Sequence, residues 1–170
     1  PFFLMRSSLF KQADAALAAD RHADALAIYS KLLAKANATE PAEERLYVNA
    51  GACLRALRRQ GEAILLLKQG LEVYPFSPSL HNNLANNLAD SQGERWQILQ
   101  HYLRAYQLGQ RRQGTVSVAA YLLKELHFPL TAYHLLHGWW QENAQLEPPT
   151  TDTVRVLLEL ALSLFEDDDL

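Results

Sequence analysis

Apolar residues in this 170-residue chain recur every three to four positions, and no stretch keeps a two-residue alternation. That period predicts helices and no strands. Ser7 or Ser8 can cap a helix running to about Ala19, with Leu9, Ala13, Ala16 and Leu17 on its inner face. Asp20-Arg21-His22 reads as a turn, and a second helix with Ala25, Ile28, Tyr29 and Leu32 inward reaches about Ala36. Asn37 to Glu40 ends the pair, and Pro41 suits the first turn of the next helix, where a missing N–H costs little. That helix carries Tyr47, Ala50, Gly51, Leu54 and Leu57; after a turn at Arg58–Gly61 the next carries Ala63, Leu66, Leu67, Gly70 and Leu71. Ser77-Pro78 offers a cap and an N1 proline to a helix striped with Leu80, Leu84, Ala85 and Leu88. Ser91-Gln92-Gly93 breaks it, and Glu94 to Leu108 returns. Beyond the polar connection Gly109–Gly114, Thr115 to Leu126 and Pro129 to about Ala144 form another pair around the turn His127-Phe128-Pro129. Pro148-Pro149 is a firm stop, and Thr150 or Thr151 caps a last helix to Phe165 that is apolar on more than one side.

The pattern repeats. The second helices align on Ala25, Ala63, Ile98 and Ala132, which are 38, 35 and 34 residues apart. In the first helices small residues recur at Ala13, Gly51, Ala85 and Ala120, each followed three positions later by Ala16, Leu54, Leu88 or Leu123. A small residue lets two helices approach closely, and an apolar residue one turn on fills the groove between them. One helix pair cannot bury both its faces, so successive pairs must stack. The expected fold is therefore all-α, an α-solenoid of antiparallel helix pairs. About four pairs are expected, near 6–40, 43–77, 78–111 and 113–146. Residues 147–170 supply a Pro-Pro break, a closing helix and an acidic end.

Tyr47-x₂-Ala50-Gly51-x₂-Leu54, Ala63-x₃-Leu67 and Pro75 together resemble the signature of the tetratricopeptide repeat (TPR) family. The likeness covers roughly residues 6 to 145 and is best in the second and third units. The sequence departs from the family in its 38-residue step, in carrying the closing proline only at Pro75, and in placing Trp139 where the family prefers a small residue. The resemblance implies a concave groove lined by first helices. It assigns to that groove Phe10, Lys11, Asp14, Arg45, Asn49, Ala52, Arg55, Asn82, Asn83, Asn86, Asp90, Ser117, Tyr121 and Lys124. Asn49 and Asn83 share one repeat position, which is similar to the asparagine ladder of TPR arrays attached to O-linked glycosyltransferases. The family's other mode grips a C-terminal carboxylate. The matching positions here hold Phe10, Asp14, Asn49, Ser79 and Asn83, of which only Asn49 agrees, so that mode is excluded. The function implied is a non-catalytic protein-interaction module taking an extended peptide or partner helix in the groove. The alternative is the N-terminal substrate-recruiting or oligomerising arm of a larger enzyme, a glycosyltransferase or methyltransferase. Self-association through the apolar terminal helix is a further expectation.

Composition narrows this picture. Charged residues make up 21% of the chain and net charge is −3, so no strong field draws it to nucleic acid, and this balance argues against RNA contact by Arg55, Arg58, Arg59, Arg111 and Arg112. No apolar run of 18 residues occurs, so no membrane span is expected. The opening PFFLMRSSLF is too short in its apolar patch for a secretory leader. A single Cys53 excludes an internal disulfide and fits a reducing, cytoplasmic setting. Cys53 falls on the Gly51–Leu54 packing face and reads as an inert core thiol. His134 and His137 are spaced to chelate, but no third ligand type stands near them, so packing is expected and no metal. Trp139 and Trp140 are expected to cover the joint with the last helix. No glycine-rich phosphate loop, GxSxG or other reaction signature is present, so no cofactor and no catalytic residue is assigned.

Overall fold

The computed structural model describes residues 2–35, 42–143, 145, 148 and 150–167, with side chains described from Ser7 to Leu162. It shows nine helices and no strand among the described residues: α1 (Phe2–Ala18), α2 (His22–Leu33), α3 (Glu44–Ala56), α4 (Gln60–Val73), α5 (Pro78–Asp90), α6 (Arg95–Gln107), α7 (Gln113–Glu125), α8 (Pro129–Asn143) and α9 (Thr151–Asp167). Each helix packs on the next in sequence, and first helices also meet across units, α3 on α5 and α7 on α9. This is an all-α helical-repeat solenoid, as the periodicity predicts. The expected break at Asn37–Glu40 and the role of Pro41 lie outside the described residues.

The turns inside the pairs share one backbone device. Asp20, Arg58, Gln92 and His127 all adopt left-handed conformations, with φ of 55°, 60°, 57° and 66°. The residue after each donates its N–H back to a carbonyl five positions earlier, on Ala16, Leu54, Leu88 and Leu123 at 2.8–2.9 Å. This is the Schellman closure, which satisfies carbonyls that a helix end leaves unpaired. Its acceptors are the four apolar residues that the sequence alignment brings into one column. The Ser77 cap is as expected, its Oγ accepting the Leu80 N–H at 3.0 Å with Pro78 at N1. The caps expected at Ser7 or Ser8 are not used, because α1 already begins at Phe2 and runs through both.

Every second-helix anchor is buried (Ala25, Ala63, Ile98, Ala132), as are the small first-helix residues Ala13, Gly51, Ala85 and Ala120. The apolar interior falls into two clusters. One joins Phe10, Ala13, Tyr29, Leu46, Cys53 and Leu54 around α1–α4. The other runs from Leu67 through Leu84, Tyr102 and Val116 to Trp139, Leu157 and Leu160. Trp139 is fully buried in this second cluster, its indole Nε1–H donating to the Arg111 carbonyl at 2.6 Å. It shares this cluster with Leu157 and Leu160 of the last helix, whereas Trp140, expected at the same joint, is exposed. The opposite face of α9 is open: Val154, Leu158 and Leu162 are exposed at one-turn spacing.

Candidate functional site

Three hollows follow one another along the face made by the first helices. The first, about 350 Å³, lies between α3 and α5 and is lined by Ala52, Arg55, Ala56, Arg58, Asn83, Asn87 and Asp90. The second, about 680 Å³, lies between α5 and α7, with Asn82, Asn86, Tyr102, Arg112, Gln113, Gly114, Thr115 and Val118 around it. The third, about 310 Å³, opens between α7 and α9 beside Ser117, Thr153 and Val156. A further hollow of about 560 Å³ lies between α2 and α4, bordered by Leu26, Leu33, Leu57, Leu65 and Leu66.

Hydrogen bonds across the seams hold the polar residues of the first-helix face. Asn49 gives an amide N–H to the Tyr29 hydroxyl (3.2 Å), which donates in turn to Asp14 (2.8 Å). Burial, reinforced by Asp14, drives the Tyr29 phenol far above its usual range, so it stays a donor. Asn83 gives an amide N–H to the Val48 carbonyl at 3.3 Å, tying α5 to α3. Asn82 and Asn86 use their other ends. The Asn82 oxygen accepts from the Thr115 hydroxyl at 2.8 Å, and the Asn86 oxygen from the Tyr102 hydroxyl at 2.7 Å. Burial pushes the Tyr102 phenol up to about 12, so its proton is present to donate.

Arg55 forms a two-pronged pair with Asp90 at 2.6 and 3.2 Å across the first hollow. Each partner shifts the other, raising the guanidinium and lowering the Asp90 carboxyl. Lys124 pairs with Glu159 of α9 at 2.8 Å. Arg45 stacks over the Phe10 ring at 3.6 Å and pairs with Glu43 at 3.1 Å. Phe10 is thus a buried support for Arg45, where a groove-facing ring was expected.

Of the residues assigned to the groove by resemblance, Arg55 and Asn83 front the first hollow, and Asn82 and Asn86 the second. Lys11 and Tyr121 are exposed on α1 and α7, and they lie outside the three hollows, as do Arg45, Asn49 and Lys124. Asn87 was not singled out from sequence. It is fully buried, donates to the Asn83 carbonyl at 2.8 Å, and has an amide oxygen without a partner. Its neighbours in the run Asn82-Asn83-Leu84-Ala85-Asn86-Asn87 were the available signal, since one amide in such a run must turn inward.

The residues weighed for chemistry are occupied structurally. Cys53 is buried, and burial raises its thiol, which disfavours the reactive thiolate. His137 stacks on Tyr133 with ring centroids 5.2 Å apart. Among the described residues no group of three His, Cys, Asp or Glu side chains could hold a metal, and no helix is long and apolar enough to cross a membrane.

Comparison with solved structures fixes the architecture. A TPR protein from Parabacteroides merdae superposes with a TM-score of 0.75 at 14% identity, over 93% of this chain and 60% of its own. The fold is that of the tetratricopeptide repeat. A mutant of MamA aligns with a TM-score of 0.74 at 11% identity, over 99% of this chain and 93% of that one. YrrB, described as a TPR protein with an unusual peptide-binding site, aligns with a TM-score of 0.66 at 12% identity, over 88% of this chain and 73% of its own. No protein-family model and no curated protein matches the sequence. In the TPR frame, α1, α3, α5 and α7 are first helices, and α9 packs on both α7 and α8.

Proposed function

We propose that the chain is a non-catalytic protein-interaction module that holds an extended peptide along its first-helix face. The observation that carries this reading is the row of hollows, one at each of the seams α3/α5, α5/α7 and α7/α9. A row of recesses, each bordered by amide, hydroxyl or guanidinium groups, suits a partner whose own polar groups recur along its length, as those of an extended backbone do. The side-chain amides there are partly spent on neighbouring helices, so their remaining groups point in fixed directions. Fixed donors and acceptors cost less to order on binding. The peptide-binding description of YrrB supports the same use of the fold. The outward stripe of Val154, Leu158 and Leu162 supports a second contact, self-association through α9.

The test is selection of a random 12-residue peptide library on the purified chain, followed by titration of the selected peptides. Asn83→Ala/Ser117→Ala, one substitution at the first hollow and one at the third, is expected to weaken them by tenfold or more. The melting temperature should fall modestly, since each lost internal hydrogen bond is worth about 1 kcal/mol. Failure to select any peptide, or affinity unmoved by the double substitution, removes the proposal.

A further inference from the structure

The second hollow differs in kind from the first. Around the α3/α5 hollow the two guanidiniums Arg55 and Arg58 face the Asp90 carboxylate, and Arg55 is already paired with it. No carboxylate lines the α5/α7 hollow, and its one charged side chain, Arg112, has no ion-pair partner among the described residues. Asn82 and Asn86 lie one turn apart on α5, so both amides front the same space. The oxygens of both are already accepting hydroxyl hydrogens from Thr115 and Tyr102. Each oxygen thus has one of its two acceptor sites taken, while both N–H donors of each NH₂ group remain to be offered. Arg112 precedes α7 without giving it a side-chain cap, so the peptide dipoles of that first turn add to the same positive sense. Gly114, beside it, has open space where a side chain would be.

Resting on the peptide-binding reading above, we infer that the α5/α7 hollow is a subsite for an acidic side chain, Asp or Glu, of the bound peptide. Two amide NH₂ groups and one guanidinium supply donors and a single positive charge. A carboxylate supplies two acceptor oxygens and a single negative charge, and hydrogen bonds to it are charge-assisted. A neutral Gln or Asn side chain brings its own NH₂ against those donors and is disfavoured. The subsite recognises an internal side chain, and it shares no residue with the positions that would grip a C-terminal carboxylate.

The probe is N-acetyl-glutamate N-methylamide, titrated into the ¹⁵N-labelled chain, with its glutamine counterpart as control. The glutamate probe is expected to shift the Gly114 and Thr115 backbone amides and the Asn82 and Asn86 side-chain amides. The glutamine probe should bind at least tenfold more weakly, and Arg112→Gln, an exposed position, should weaken the glutamate probe by about tenfold. Equal shifts from both probes, shifts confined to other helices, or binding indifferent to Arg112→Gln would overturn the subsite. The library selection separates the two readings. Peptides that bind without an acidic residue leave the groove and remove the subsite. Probe shifts at α5 and α7 with no selected peptide leave the subsite and remove the groove.

Discussion

A Cβ placed on Gly70 would stand 2.9 Å from both Cβ and Cγ of Tyr47 and 3.2 Å from Leu80. Those Tyr47 atoms are the root of the ring and cannot swing aside, so α3 and α4 must separate to admit a methyl group. On Gly138, in the middle of α8, the same atom would meet nothing within 4 Å. Alanine gains roughly 1 kcal/mol over glycine in a helix interior, while forced overpacking of a core costs roughly 1–3 kcal/mol. Gly138→Ala is therefore expected to stabilise the fold by about 0.5–1 kcal/mol in urea melts. Gly70→Ala should lose about 1 kcal/mol or more despite the same gain in propensity. Equal responses would show that the α3–α4 joint is looser than its geometry. The sequence marks Gly70 as special through its repeat position. It does not distinguish Gly138 from a packed glycine, because that depends on what lies across from α8.

At the level of elements, the α5–α6 pair contains a contact that no sequence pattern announces. His81 and His101 are twenty positions apart, yet their Nδ1 atoms lie 2.9 Å from each other, and His81 Nε2 lies 3.2 Å from the Pro75 carbonyl. The carbonyl can only accept, so His81 carries its proton on Nε2 and accepts from His101 through Nδ1. Adding a proton to His81 Nδ1 destroys that bond. Burial is the main reason His101 is held down at about 4, with His81 and Lys68 adding to it; burial and Arg104 also lower His81, against the pull of Pro75. An unfolded histidine titrates near 6.5. Between about pH 6.5 and 4 the unfolded chain therefore takes up protons that the folded chain refuses, and stability falls as pH falls. The melting temperature should drop between about pH 7.5 and 5, and His101→Leu should flatten that slope. An unchanged slope in the variant would assign the pH response elsewhere. The pairs themselves were legible, because their anchors recur at near-constant spacing. The turns were legible too, but their common left-handed closure was not: Asp20, Arg58, Gln92 and His127 share no residue type, and only backbone closure makes them equivalent. The lining of the hollows was legible in part. The resemblance places Asn82, Asn83 and Asn86 on the first-helix face, but which end of each amide is spent depends on Thr115, Val48 and Tyr102, which neighbouring helices bring in.

For the whole molecule, stability is built from neighbour-to-neighbour contacts, as in other stacked repeats. Ion pairs between units, Arg55–Asp90 and Lys124–Glu159 among them, include exposed partners and add little to it. The apolar seams carry the load, and α9 exposes an apolar stripe at Val154, Leu158 and Leu162. Self-association through that stripe predicts a concentration-dependent mass in sedimentation equilibrium, reduced to the monomer by Leu158→Glu with helix content retained. A monomer at every concentration would exclude it. The two apolar clusters meet at Tyr47, the partly buried side chain that packs on both. A ring gripped from two sides acts as a keystone, and shortening it would slacken both halves of the stack at once.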